Sequence, residues 1–187
     1  MKYNPAPRRA LKGSLALLAL LEICSFPFAL RTRADAPPEP TRMDRLRAAY
    51  LFSFAKLVEW PSTQTGAFTF CFIGARGVRG ALVSGTAGRT LNDRPIATRA
   101  IGPLAAASGC QVLYVESSRG GAWANAAVVR ALTVGDSKPF THEGGILSLF
   151  EEHNRLRFEV NLDNAQRAGV RLSPELVKAA SIEGPAP

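Results

Sequence analysis

The chain has 187 residues, a formal net charge of +8 at pH 7, and 47% hydrophobic residues. A basic balance of this kind is typical of proteins that bind nucleic acid or anionic membranes. However, residues 1–34 hold six of the 23 basic side chains and one of the 15 acidic ones, which is +5 of the net charge. The rest of the chain is only about +3. We therefore expect no nucleic acid as a partner.

Residues 1–34 have the three parts of a secretory signal peptide. A basic start precedes an apolar stretch of about fourteen residues, and Ala34 and Ala36 offer small side chains for cleavage. The stretch contains Glu22 and is shorter than the roughly twenty apolar residues of a spanning helix. We predict export without membrane insertion after the leader is removed. A Pro-rich flexible tether is expected over residues 35–42.

Cleavage of the leader would leave two cysteines, Cys71 and Cys110. An even pair in an exported chain favours a disulfide, and two buried free thiols are the alternative. A disulfide that closes a loop of this length would stabilise the fold by about 4 kcal/mol in the chain-entropy model. Two cysteines and two distant histidines do not make a ligand cluster, so we predict neither a metal site nor a cofactor.

Hydrophobic periodicity divides residues 43–181 into alternating helices and strands. The predicted elements are a helix over 43–60, a strand over 67–74, a helix over 78–83, a turn at 92–95, strands over 96–101 and 111–116, a helix over 123–132, a strand over 132–134, a hairpin of strands 146–150 and 156–162, and helices over 163–168 and 174–180. Ser173 and Pro174 are typical of an N-cap and a first helical residue.

This order predicts one α/β domain over residues 43–181, followed by a disordered tail at 182–187. The expected architecture is a mixed β-sheet of about five to six strands, flanked by helices on both faces. A C-terminal hairpin and two short helices complete the predicted fold.

A glycine-rich turn follows the first predicted strand and leads into a helix. Gly74, Arg76, Gly77 and Arg79 stand where a phosphate-binding loop would lie. The spacing lacks the G-x-G step of the dinucleotide fingerprint. A plain strand-to-helix turn is one interpretation, and an anion or small-ligand site is the other.

Candidate catalytic residues are few. His142 and His153 lie near acidic residues and could act as general bases. No positioned nucleophile accompanies them, since the sequence has no G-x-S-x-G motif. Asp136 follows a predicted strand, and we interpret it as a turn cap. We interpret the histidines as solvated turn residues and predict that the protein is not an enzyme.

Two features could bind another protein. Arg155, Arg157, Glu159 and Asn161 alternate with apolar residues, which predicts a strand with one charged face. This face is either an ordinary solvated edge or a surface that accepts a partner strand. Trp60 either fixes the end of the first helix to the core or serves as an exposed anchor for a partner.

Several segments, taken in order, resemble the YfiR family of periplasmic proteins. They are AAYLFSFAKLVEWP at 48–61, FCFIG at 70–74, RPI at 94–96, CQVLYV at 110–115, LTVGD at 132–136, GGI at 144–146 and NRLRFEVNL at 154–162. The resemblance extends over residues 43–181. It implies a small periplasmic α/β domain, commonly a homodimer, in which Cys71 and Cys110 match a family disulfide. Some members carry a second cysteine pair, which this chain lacks, so redox switching by that pair is not expected here.

The resemblance also implies a regulatory function. The namesake of the family restrains an inner-membrane diguanylate cyclase by binding its periplasmic sensor portion, and thereby lowers cyclic di-GMP signalling and biofilm formation. We therefore expect a periplasmic negative regulator from a Gram-negative bacterium that acts by stoichiometric binding. A periplasmic sensory domain that binds a small ligand near residues 74–80 is the alternative.

Overall fold

The computed structural model describes residues 39–61, 65–102, 104–119 and 129–182. Within these ranges the helices are α1 Arg42–Lys56, α2 Arg76–Gly85, α3 Leu162–Ala168 and α4 Pro174–Ala179. The strands are β1 Val58–Glu59, β2 Phe68–Ile73, β3 Thr90–Leu91, β4 Arg94–Ala100, β5 Val112–Val115, β6 Leu132–Gly135, β7 Leu147–Glu152, β8 Arg155–Val160, β9 Arg171–Leu172 and β10 Ser181–Ile182. None of the described helices has the length and apolarity needed to cross a bilayer.

The main sheet is mixed and has eight strands in the order β10-β8-β7-β6-β5-β2-β4-β3. Strands β4, β2, β5, β6 and β7 run parallel, and β8 runs antiparallel to β7. A separate two-stranded sheet joins β1 to β9. The predicted α/β class and mixed sheet are confirmed. More strands are present than the five or six expected, because the two-residue strands are too short to produce a periodic pattern.

The central strand β2 separates two hydrophobic clusters. Its three phenylalanines lie in the larger cluster, to which all four described α-helices contribute. Cys71 and Ile73 point the other way, into a smaller cluster that includes Ala107 and Phe140 from two 3₁₀ turns. Successive side chains of a strand alternate between faces, so a strand covered on both sides is apolar at nearly every position. The prediction that β2 is an internal strand is confirmed.

Helix α1 begins at a capping box and ends earlier than predicted. The hydroxyl of Thr41 accepts a hydrogen bond from the N–H of Asp44 at 3.1 Å, and the Asp44 carboxylate accepts from the N–H of Thr41 at 2.9 Å. The predicted helix over 43–60 is wrong at its end. The structure ends α1 at Lys56, because Val58 pairs with Leu172 in the two-stranded sheet.

The C-terminal half shows three further differences from the predictions. Of the helix predicted over 123–132, residues 123–128 lie outside the described residues, and Leu132 begins β6. The hairpin turn is the two-residue pair His153 and Asn154, with φ of 52° and 61°, so both strands extend further toward it. Strand β8 ends at Val160 because Asn161 caps α3.

Candidate interaction sites

Cys71 and Cys110 form a disulfide between two neighbouring central strands, with 5.8 Å between their Cα atoms. Cys71 lies within β2, and Cys110 lies two residues before β5, the parallel neighbour of β2. Both side chains are buried. Beside the disulfide, the side chain of Gln111 accepts a hydrogen bond from the N–H of Thr69 at 2.7 Å. The backbone N–H of Gln111 donates to the Thr69 carbonyl at 2.9 Å. The disulfide therefore reinforces an ordered junction between the strands.

Arg99 contacts both sulfur atoms of this disulfide. Its Nη2 lies 3.2 Å from Sγ of Cys110 and 3.7 Å from Sγ of Cys71. The same nitrogen donates hydrogen bonds to the carbonyls of Ser108 at 2.7 Å and Ala106 at 3.1 Å. No pattern in the sequence indicates Arg99 as a disulfide neighbour, because only the pairing of β4 with β2 brings it opposite Cys71. A cation here would favour the thiolate of either cysteine after reduction.

The glycine-rich turn leads from β2 into α2 as the sequence predicts. Gly74 has a φ of 77°, which suits glycine, and α2 begins at Arg76. Arg76 is exposed and Arg79 is half-buried. The first turn of α2 contains no acidic residue of its own, and its N-cap provides no side-chain hydrogen bond.

An acidic side chain from α1 lies against this first turn. A Cβ at Gly77 would overlap the carboxylate of Asp44. A carboxylate in this position repels an anion. The arrangement favours the plain-turn interpretation of Gly74, Arg76, Gly77 and Arg79, and it weighs against an anion site there.

The four residues predicted as a charged strand face do not share one environment. Arg155 and Arg157 are exposed. The side chain of Glu159 is only 13% exposed, and its Oε1 lies 3.7 Å from Nζ of Lys138. Strand β10 pairs with β8 at Glu159 and Val160, so the edge expected to be open is covered at its carboxyl end.

Asn161 and Trp60 make internal contacts. The side chain of Asn161 accepts a hydrogen bond from the N–H of Asn164 at 2.9 Å and so caps α3. The indole N–H of Trp60 donates to the Ala55 carbonyl at 2.7 Å, and the ring packs edge-on against Phe68 at 5.1 Å between centroids. These contacts favour the interpretation that Trp60 fixes the helix end to the core.

The candidate catalytic residues are dispersed. His142 and His153 are exposed. Asp136 accepts a hydrogen bond from the N–H of Ser117 at 2.6 Å and joins the end of β6 to the turn after β5. In the ranges that the structure describes, no group of three or more His, Cys, Asp or Glu side chains is placed to hold a metal ion.

A buried phenol lies near the carboxyl ends of the parallel strands. Tyr114 is 1% exposed, and its hydroxyl has no hydrogen-bond partner among the described residues. Nε of Arg47 is also buried and has no hydrogen-bond partner within the ranges that the structure describes. Burial strongly raises the pKa of Tyr114, and the nearby carboxylate of Asp136 raises it further. The phenol therefore stays neutral at physiological pH. The apolar residues at nearly every position of β5 predict that Tyr114 is buried, but not that its hydroxyl lacks a partner among the described residues.

A surface groove of about 580 Å³ lies between α1 and α2, and we call it the α1–α2 groove. Its lining includes the small or apolar residues Ala48, Ala49, Phe52, Ala81 and Leu82 and the basic residues Arg45 and Arg89. Another cavity, of about 490 Å³, lies between α1 and the β7–β8 hairpin and includes Leu46 and Arg155. No pattern in the sequence indicates either cavity, because each one is formed by elements that are distant in the chain.

The sequence matches the model of the YfiR/HmsC-like family over residues 44–181. No protein of curated function matches it. A conserved domain protein from Vibrio cholerae O1 biovar eltor str. N16961 is similar in structure, with 11% sequence identity and a TM-score of 0.51. An ABC domain in complex with L-Trp from Streptococcus pneumoniae has 10% identity and a TM-score of 0.48. Each alignment covers 72% of this chain and 59% of the other chain. At these identities the Vibrio likeness shows the fold alone.

Proposed function

Because the chain belongs to the YfiR/HmsC-like family, we propose that it is a periplasmic regulatory protein that restrains an inner-membrane diguanylate cyclase by stoichiometric binding. The family match carries this proposal, since residues 44–181 include nearly all of the described fold. The expected result of restraint is lower cyclic di-GMP and less biofilm. We also propose a homodimer, the state common in the family.

The proposed mechanism is a shift in the conformational population of the cyclase. A protein outside the cytoplasm can control cytoplasmic chemistry only through a molecule that crosses the membrane. Binding shifts the equilibrium of such a sensor only by the difference in affinity for its two states. To move the cyclase from 1:99 to 99:1 in favour of its inactive state, the regulator must bind that state about 10⁴-fold more tightly.

The placement of the candidate catalytic residues supports binding rather than catalysis. His142 and His153 are exposed, and Asp136 is engaged in capping a turn. General acid–base catalysis needs a side chain positioned within hydrogen-bond reach of a reacting group. The disulfide between Cys71 and Cys110 reinforces the central sheet, which suits a protein that acts by binding a partner.

Deletion of the gene tests the proposal. Cellular cyclic di-GMP and biofilm should rise in the deletion strain and return to the original level when the gene is restored. The purified protein should bind, in a calorimetric titration, the periplasmic portion of a membrane protein with a GGDEF output domain encoded beside it. Unchanged cyclic di-GMP in the deletion strain, together with no binding, would overturn the proposal.

A further inference from the structure

The α1–α2 groove has the features of a docking site for a helix. We propose that it binds an acidic amphipathic helix of the protein partner, an inference that rests on the proposed function. The base of the groove combines small side chains with one large apolar ring. Ala48, Ala49 and Ala81 leave space between the helices, and Phe52 is half-buried beside them. A helix binds such a groove by inserting apolar side chains spaced three or four residues apart.

Two cations, Arg45 and Arg89, line the groove, and a third, Lys56, lies beside its aromatic ring. The guanidinium carbon of Arg89 lies 4.5 Å from the ring centroid of Phe52, and Nζ of Lys56 lies 5.9 Å from it. Arg45 donates a hydrogen bond to the Pro40 carbonyl at 2.6 Å. Within the described ranges, no carboxylate forms an ion pair with any of the three.

The charge around the groove specifies the partner. Among the described residues of the lining, one carboxylate, Glu39, faces the two guanidinium groups of Arg45 and Arg89, so positive charge predominates. Acidic side chains that flank the apolar residues of a docked helix would pair with Arg45, Lys56 and Arg89. Complementary charges of this kind direct the encounter and exclude partners of the wrong sign. A basic or neutral helix would meet repulsion or leave these cations without counterions.

Calorimetric titration of the partner's periplasmic portion into the purified protein tests the groove. The protein is used in the form that the bacterium produces. Arg89→Glu should raise Kd about tenfold, because it replaces attraction by repulsion. Ala49→Trp should raise Kd at least as much, because the bulky ring fills the groove. Ser84→Trp provides a second obstruction from α2, in case Ala49→Trp lowers the melting temperature. Lys178→Glu, at an exposed cation of α4 that lines neither cavity, is the control for charge reversal and should change Kd less than twofold.

The outcomes separate the site from the function. If the unaltered protein binds but Arg89→Glu and both Trp variants bind equally well, the groove proposal is wrong and the proposed function stands. Loss of binding in Arg155→Glu alone would assign the partner to the cavity between α1 and the hairpin. A Trp variant that changes the oligomeric mass by light scattering would show that a second copy of the chain occupies the groove, which also overturns the proposal. No binding by the unaltered protein would count against the function itself.

Discussion

The carboxylate of Asp44 in α1 lies against the backbone of Gly77 in the first turn of α2, so closely that no Cβ fits at residue 77. The capping box holds the carboxylate in place, since the N–H and hydroxyl of Thr41 donate to it at 2.9 and 2.8 Å. The close approach of α1 and α2 therefore explains why residue 77 is glycine, although a glycine at this position is also expected in a phosphate-binding loop.

Gly77→Ala should lower the free energy of unfolding by about 1–3 kcal/mol, because the methyl group displaces Asp44 and disrupts the cap. Gly80→Ala in the same helix is the control. There the nearest atom is Cγ of Pro40 at 3.7 Å, so the substitution should stabilise by about 0.5–1 kcal/mol through helix propensity. Urea denaturation measures both. Equal stabilities of the two variants would show that the contact has no energetic consequence.

Tyr114→Phe should raise the free energy of unfolding at pH 7 by about 1 kcal/mol. The substitution keeps the buried ring and removes a hydroxyl that has no partner among the described residues. Urea denaturation of the two proteins gives the difference. A variant less stable than the original protein would show that the hydroxyl makes a favourable hydrogen bond.

The same pair of proteins should diverge in alkaline solution. Burial, and then Asp136, raises the pKa of Tyr114 in the folded state, whereas the phenol of the unfolded chain ionises near pH 10. The unfolded state therefore loses this proton at a lower pH than the folded state does. Relative to the Phe variant, the free energy of unfolding of the original protein is constant below about pH 10 and falls as pH rises above it. The other tyrosines are common to both proteins, so the difference between their stability curves reports Tyr114. Parallel curves up to pH 11 would contradict the raised pKa.

Replacement of both cysteines, Cys71→Ala with Cys110→Ala, should lower the free energy of unfolding by about 2–4 kcal/mol. The disulfide spans 39 positions, and its removal frees the unfolded chain. If the disulfide is structural, the folded fraction of the variant should bind the cyclase portion with unchanged Kd. A fully folded variant that binds at least tenfold more weakly would instead assign it a regulatory role.

Arg99→Gln should speed the reduction of the disulfide by dithiothreitol and lower stability by about 1 kcal/mol. The arginine joins the segment before Cys110 to β4 through the Ser108 and Ala106 carbonyls. Loss of the arginine's charge disfavours the cysteine thiolate that forms on reduction, which acts to slow the reaction. Access of dithiothreitol to the disulfide should have the larger effect on the rate, because both sulfurs are buried. Thiol titration against time measures the rate, with Arg157→Gln as the control. Reduction at the control rate would show that Arg99 does not limit access.

The sequence by itself determined the α/β class and most of the longer elements. In β2 and β5 apolar residues occupy nearly every position, and in α1 they recur at three- and four-residue steps. Ser173 indicated the start of α4 in the sequence. In the structure its hydroxyl accepts a hydrogen bond from the N–H of Leu176. Such signals are local, because burial of a strand or a helix face is recorded in residues close together in the chain.

Only the tertiary structure decided the relationships between distant residues. The pairing of Val58 with Leu172 shortened α1, and the pairing of β10 with β8 covered part of the predicted open edge. The contacts of Arg99 with the disulfide and the cations around Phe52 follow from how strands and helices are placed beside one another. Contacts between residues that are far apart in the sequence produce no periodic pattern from which they could be predicted. The packing of the whole chain therefore created the candidate docking groove.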